Sequence, residues 1–169
     1  MGKAFVFGDD INTDAMAPGR YLRAEPAIMA SHCLESIDPD FAATVTPGDI
    51  LVAGLNFGMG SSREQAAGSL KLLGVRAVLA RSVARIFYRN AANFGLPVLL
   101  WEHQGLVEAG DTLDVDPATG HIENCSRGII HHVEPLPEQL QAIVSAGGLV
   151  PYLKDGLSSG AIVPRSPRP

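Results

Sequence analysis

DILVAGLNFGMGSSREQAAGSLKLLGVRAVLARSVARIFYRNAANFGLPVLLW, residues 49–101, is the stretch that decides the fold. Its apolar runs are short and broken at glycine, the pattern of buried strands alternating with helices. Asp49 to Ala53 reads as a strand, which GLNFGMG interrupts. A helix is expected from Ser61 to Leu73, opened by the Ser-x-x-Glu capping pattern of Ser61 and Glu64 and stopped at Gly74. Val75 to Ala80 is a second strand, Ser82 to Phe94 a second helix ending on Gly95, and LPVLLW a third strand. Strand–helix–strand–helix–strand implies parallel pairing with right-handed crossovers.

On the N-terminal side, Lys3 to Phe7 forms a first strand closed by the polar turn Gly8-Asp9-Asp10. An irregular connection, INTDAMAPGRYLRAEP, follows without a clear period, and ordered connections of that length are more often functional than idle. A short helix is expected near Pro26 to Leu34, and Pro47-Gly48-Asp49 marks the next turn. On the C-terminal side, Thr112 to Val115 and His121 to Asn124 flank the turn signal DPATG, Gly128 to Val133 adds a third antiparallel strand, and Pro137 to Ser145 a helix. From Asp155 onward the composition is that of a mobile tail. The expectation is one mixed α/β domain over residues 1–154 with a βαβαβ centre, and a flexible tail over 155–169.

The bulk numbers narrow the function classes. At 169 residues the chain can bury a real core, and 46% hydrophobic with 18% charged residues is ordinary for a globular protein. A net charge of −5 argues against a nucleic-acid partner, since such domains carry a basic excess. No apolar run is long enough to span a bilayer, and MGKAFVFGDD lacks the apolar stretch of a signal peptide, so no membrane partner and a cytoplasmic location are expected. The two cysteines, Cys33 and Cys125, cannot by themselves build a zinc or iron–sulfur site, and free thiols are expected. The histidines carry little: His131 and His132 should point to opposite faces of a strand, and His32, His103 and His121 read as isolated.

Chemistry concentrates in GLNFGMGSSREQA, residues 54–66. Glycines let the backbone turn sharply and approach a ligand, a following helix aims free N–H groups into the turn, and two hydroxyls and a guanidinium sit beside them. Because arginine presents a planar fork to an anion, the segment reads as a receptor for a carboxylate or phosphate. Nucleotide patterns do not fit: there is no Gly-Lys-Ser/Thr, and Arg63 stands where the dinucleotide fingerprint has its third glycine. On the second helix Arg85 and Arg89 lie one turn apart and, with Asn90, read as support for the site or an interface.

Three blocks in order, GDDINTDAMAPGRYL (8–22), NFGMGSSREQA (56–66) and SVARIFYRNAANFGLPVL (82–99), resemble the swivelling domain of the aconitase superfamily. Within it, the chain is most similar to the free-standing small subunits of isopropylmalate isomerase and homoaconitase. The resemblance implies a layered β/β/α swivelling domain and a hydro-lyase that dehydrates and rehydrates a hydroxy di- or tricarboxylate, isopropylmalate first. In that family the first serine of Gly-Ser-Ser-Arg is the catalytic base, which implies that role for Ser61, with Ser62 and Arg63 holding a substrate carboxylate. The aspartate after the threonine implies a site role for Asp14, and the loop after Tyr-Leu, which sets substrate choice, one for Arg23. Family members use a [4Fe–4S] cluster carried by three cysteines of a large subunit. The resemblance thus implies a separate iron–sulfur large subunit as partner, a small hydroxy acid as substrate and no metal bound by this chain, with self-association of the isolated chain left open.

Two positions depart from many relatives of that type: Met59 stands where they carry cysteine and Gln65 where they carry histidine. Met59 is an apolar filler, and Gln65 hydrogen-bonds but does not titrate. With Arg23, these leave the hydroxy acid open among isopropylmalate, homoaconitate and other alkylmalates. From another class stands a non-catalytic anion-binding regulatory module, against which the intact Ser61-Ser62-Arg63 set speaks.

Overall fold

In chain order the elements are β1 (Gly2–Val6), α1 (Thr13–Met16), α2 (Pro26–Ala30), α3 (Phe41–Thr44), β2 (Ile50–Ala53), α4 (Glu64–Leu72), β3 (Ala77–Ala80), α5 (Arg85–Asn93) and β4 (Val98–Leu100). There follow β5 (Thr112–Asp116), β6 (His121–Asn124), β7 (Ile129–His132), α6 (Glu138–Ser145) and α7 (Leu149–Ser159). The structure, a computed structural model, describes residues 1–162. The strands form one seven-stranded sheet in the order β4-β3-β2-β1-β5-β6-β7. β1 to β4 pair in parallel, with Ala4 opposite Ile50, Ile50 opposite Ala77 and Val78 opposite Val98. β5, β6 and β7 pair antiparallel and join through β5 to β1, Gly2 opposite Leu113.

The parallel strands are buried on both faces, which is why they read as unbroken apolar runs. Leu51, Ala53, Val78 and Ala80 face a helical layer with Phe41, Phe57, Ala66, Leu70 and Phe87. Ile50, Val52, Ala77 and Leu79 face the other way and share a core with Leu113, Val115 and Ile122 of the antiparallel half. The sheet therefore curls so that its antiparallel half covers the outer face of its parallel half, the layered β/β/α arrangement expected. Residues such as Leu51, Leu79 and Leu113 are fully buried, each worth roughly 1.5–3 kcal/mol of apolar transfer.

Several boundaries differ from the sequence reading. Helix α4 begins at Glu64, with Arg63 in extended conformation at its N-cap and no side-chain cap. The capping box of Ser61 and Glu64 does not form, because the Ser61 amide is drawn to Thr13. Helix α2 ends at Ala30, its continuation to Leu34 broken by positive φ at Leu34. The irregular stretch after β1 contains α1, too short to show a period. Where a mobile tail was expected from Asp155, α7 runs on to Ser159, and the Ile162 amide donates to the Gly156 carbonyl. Pro151 and Gly156 hide that helix from propensity, yet Pro151 sits in its first turn, where no backbone donor is needed. The remainder of the expected tail, 163–169, lies outside the described residues. Among the described residues no helix is long and apolar enough to cross a membrane.

Candidate active site at the carboxyl ends of the parallel strands

Strands β1, β2 and β3 release their chains at one edge of the sheet, where open α/β folds place ligands. The three connections are stitched together by backbone hydrogen bonds. The Asp10 amide donates to Leu55 O (2.8 Å), Gly58 to Ile11 O (2.7 Å) and Thr13 to Met59 O (2.9 Å). On the other flank Phe57 donates to Ser82 O (3.0 Å) and Ala84 to Phe57 O (2.9 Å). The segment after β2 is thus held between the other two as a further irregular strand.

Two glycines in it are required by geometry. Gly58 has φ of +74°, and a Cβ there would lie 2.3 Å from Phe87 Cγ. Phe87 in turn packs edge-on against Phe57 with ring centroids 5.1 Å apart. Gly60, at φ +104°, swings the chain so that Ser61 meets α1 and not the start of α4.

Ser61 is held by a residue 48 positions earlier. Its amide donates to Thr13 Oγ1 at 3.1 Å, and the two hydroxyl oxygens lie 3.0 Å apart. Since Thr13 Oγ1 already accepts from the amide, its own proton is available to Ser61 Oγ; the alternative acceptor, Ser61 O, is farther at 3.4 Å. Thr13 is only 1% exposed, so the pair is sheltered on one side, while Ser61 faces solvent on the other. The Asn12 side chain caps α1 by accepting from the Ala15 amide at 2.9 Å, which fixes Thr13 in turn.

Arg63 lies beside this pair. Its Nη1 donates to the Asp14 carboxylate and to Ala17 O at 3.1 Å, which orients the guanidinium and leaves its remaining donors for a ligand. Ser62 is exposed, and its carbonyl accepts from the buried Asn90 amide group at 3.5 Å. Ser61, Ser62, Arg63 and Asp14 therefore come together. Asn90, read from the sequence as support for the site or an interface, belongs with them; so does Thr13, which received no role from the sequence, because nothing local marks a partner so distant along the chain.

Arg23 stands apart from this cluster, on the loop after the turn Gly19–Tyr21. It is exposed and makes no hydrogen bond or ion pair among the described residues. The loop is anchored by its neighbours: Tyr21 stacks on His32 with centroids 3.9 Å apart, and the Arg20 guanidinium lies over the tyrosine ring, 4.9 Å from its centroid. His32 and Arg20 both reach Glu35, and these hydrogen bonds, the one from His32 foremost, hold its carboxyl below the usual carboxylate range. His32 is thus not isolated, nor are His103, stacked on His131, and His121, facing His132. Beside the loop, a groove of about 530 Å³ between α2 and α4 is lined by Leu22, Ala24, Met29, Gln65, Gly68 and Phe94. Gln65 faces this groove.

No described residues are suited to hold an iron–sulfur cluster. Cys33 is fully buried under the helical layer and Cys125 follows β6 at the far side of the sheet. Among the described residues no three His, Cys, Asp or Glu side chains form a metal-binding group.

The fold and this edge define a class. Residues 15–103 match the family model of the aconitase C-terminal domain, and the chain belongs to that family. Among curated relatives, it is 51% identical over 156 residues to 3-isopropylmalate dehydratase small subunit 2 of Archaeoglobus fulgidus, covering 91% of this chain and 94% of that one. It is 49% identical to the 3-isopropylmalate dehydratase small subunit of Moorella thermoacetica, covering 90% and 93%. A crystal structure of 3-isopropylmalate dehydratase from Methanocaldococcus jannaschii superposes with a TM-score of 0.89 at 43% identity, over 95% of this chain and 96% of that one.

Proposed function

We propose that this chain is the small subunit of an aconitase-type hydro-lyase, with an isopropylmalate-like hydroxy acid as substrate and Ser61 as its base. The observation that carries the reading is the Thr13–Ser61 hydroxyl pair beside Arg63 at the open edge of the sheet. A serine hydroxyl is a weak base in water. A donor that hydrogen-bonds its oxygen and an adjacent guanidinium both favour the alkoxide. As alkoxide, Ser61 Oγ takes the proton from the carbon next to a carboxylate. The carbon–carbon double bond forms as the neighbouring hydroxyl leaves as hydroxide, which takes up one proton, equivalent to the one Ser61 removed, so that the net products are water and an unsaturated diacid. Negative charge grows on the carboxylate during proton removal, so Arg63 binds the transition state more tightly than the ground state. Addition of water in the other orientation completes the isomerisation.

This half-site lacks what assists the departing hydroxyl. The relatives are named small subunits, which supports a large partner that supplies the [4Fe–4S] cluster and the rest of the site. Reconstituted anaerobically with such a partner, the chain should hydrate an unsaturated dicarboxylate. Ser61→Ala should cut kcat by about 100-fold or more with little change in substrate binding. Full turnover in that variant would remove the base assignment.

Two features bear on the acid. The groove by Gln65 suits a branched alkyl group, whereas the exposed Arg23, without an ion-pair partner among the described residues, favours an acid with a distal carboxylate, of the homoaconitate kind. A substrate panel on the reconstituted enzyme decides between them: Arg23→Ala should shift kcat/KM ratios among acids that differ at the distal group, and unchanged ratios would return Arg23 to the surface.

A further inference from the structure

The loop after α1 folds back onto Arg63. The Ala17 carbonyl accepts from Arg63 Nη1 at 3.1 Å, and a Cβ on Gly19 would stand 3.9 Å from Arg63 Nη2. One guanidinium nitrogen is thus bonded to the start of the loop, while the other lies beside its turn, Gly19–Tyr21. The segment after α2 grips the same turn from outside. Arg20 donates to one oxygen of the Glu35 carboxylate, His32 Nδ1 lies 2.7 Å from the other, and the His32 ring lies flat on Tyr21 at an interplanar angle of 8°. A single carboxylate therefore holds two consecutive residues of the turn, Arg20 directly and Tyr21 through His32.

Glu35 is itself fixed in place. The residue before it, Leu34, is fully buried at φ +62°, a conformation costly for a residue with a Cβ. Its amide donates to Ala15 O at 2.8 Å, one residue from Asp14, the carboxylate that holds Arg63. Asp14, Gly19, Arg20 and Glu35 line one cavity of about 560 Å³. Two carboxylates thus border one space, the first bonded to Arg63 and the second to the turn beside which Arg63 lies.

We propose that Glu35, together with His32, is a positioning residue for Arg63: by clasping the Gly19–Tyr21 turn it fixes the direction in which the guanidinium meets a substrate carboxylate. The inference rests on the hydro-lyase reading of Arg63 and deepens it by naming what aims that side chain. Asp14 and Ala17 O both engage Nη1, which leaves the guanidinium plane free to pivot about that nitrogen. The Gly19 backbone beside Nη2 blocks the pivot only while the turn stays in place. A planar fork grips a carboxylate with two parallel bonds only when held to within roughly 0.5 Å of the productive geometry. An exposed ion pair contributes little by itself. Glu35 differs from one in that both its oxygens are engaged and its backbone neighbour is anchored in the core beside Asp14. It acts through the turn, without touching the substrate.

The test begins with the full-length chain alone. In the nitrogen-15 spectrum of the arginine side chains, the Arg63 Nε–H signal, assigned by its loss in Arg63→Lys, should be sharp and dispersed in the wild type. In Glu35→Ala it should broaden and move to the position of exposed arginines. Glu35→Gln offers an oxygen to Arg20 and an amide to an acceptor nitrogen of His32, so it should keep the wild-type signal. Circular dichroism establishes that each variant is folded. An unchanged Arg63 signal in Glu35→Ala overturns the proposal. In the enzyme reconstituted anaerobically with its large subunit, Glu35→Ala should lower kcat/KM about tenfold and Glu35→Gln should stay within about twofold of wild type. Added to Arg63→Lys, Glu35→Ala should lower kcat/KM by less than about twofold more, because its effect passes through Arg63. Equal losses in both backgrounds would also overturn the proposal, since Glu35 would then act elsewhere. If the wild type gains no activity with its partner, the hydro-lyase reading fails, and the Arg63 signal alone decides whether Glu35 holds that side chain.

Discussion

Thr13 Oγ1 lies 3.0 Å from Ser61 Oγ and 3.1 Å from Ser61 N, so one buried hydroxyl holds both the backbone and the side chain of the proposed base. A methyl in place of that hydroxyl leaves the shape and removes the donor. Thr13→Val is expected to lower kcat of the reconstituted enzyme by about 10- to 100-fold with KM nearly unchanged, and to move the basic limb of the pH–rate profile. Thr13→Ser, which keeps the hydroxyl, should recover most of the rate. Equal losses in both variants would make Thr13 a packing residue only.

Gly58 allows the loop after β2 to pass over Phe87. Alanine there meets the Phe87 ring at 2.3 Å and must adopt φ near +74°. The combined strain should cost about 2–4 kcal/mol. For a domain of this size Tm should then fall by roughly 4–16 °C. Thermal unfolding followed by circular dichroism reads the shift, and a Gly58→Ala protein as stable as wild type would contradict the contact.

Asp111 ties the antiparallel half together. It accepts from the Glu108 amide at 3.0 Å, from the Asn124 side chain at 2.8 Å and from Arg127 Nε at 2.7 Å. These donors, the Glu108 amide foremost, hold its carboxyl down to about 2 against an ordinary 3.8. The folded state thus binds this proton less tightly than the unfolded chain. The stability it contributes is complete above the ordinary value and is lost as pH falls through the folded one. Asp111→Asn should therefore be less stable than wild type at neutral pH, and the gap should close between about pH 4 and about pH 2. Denaturant titrations at several pH values measure it.

The two thiols should differ in reactivity. Cys33 is fully buried, and burial pushes its thiol well above the ordinary range, whereas Cys125 is half-buried at the end of β6. A thiol reagent should modify Cys125 in the native protein and reach Cys33 only after unfolding. Rapid native labelling of Cys33 would mean that the helical layer opens.

Much of the architecture was legible because burial leaves a local trace. The parallel strands read as apolar runs since both faces are covered, and the hairpin between β5 and β6 announced itself in DPATG. Helix α7 was hidden because Pro151 and Gly156 are poor helix formers by propensity, although Pro151 falls in the first turn, where its missing donor costs nothing. The Ser-x-x-Glu pattern misled for a related reason: the Ser61 amide could bond its own helix, and a distant threonine took it instead.

By itself, then, the sequence determined the alternation of strands and helices, the family motif Gly60–Arg63 and the lack of a metal-binding cysteine set, all properties of residues adjacent in the chain. The tertiary structure decided which residues complete Ser61. Thr13 and Asp14 reach the turn only because β1 and β2 pair in parallel and release their chains at the same edge. Hydrogen bonds across 48 residues leave no periodicity to read. The register of a sheet and one positive-φ glycine set them, and both act through space.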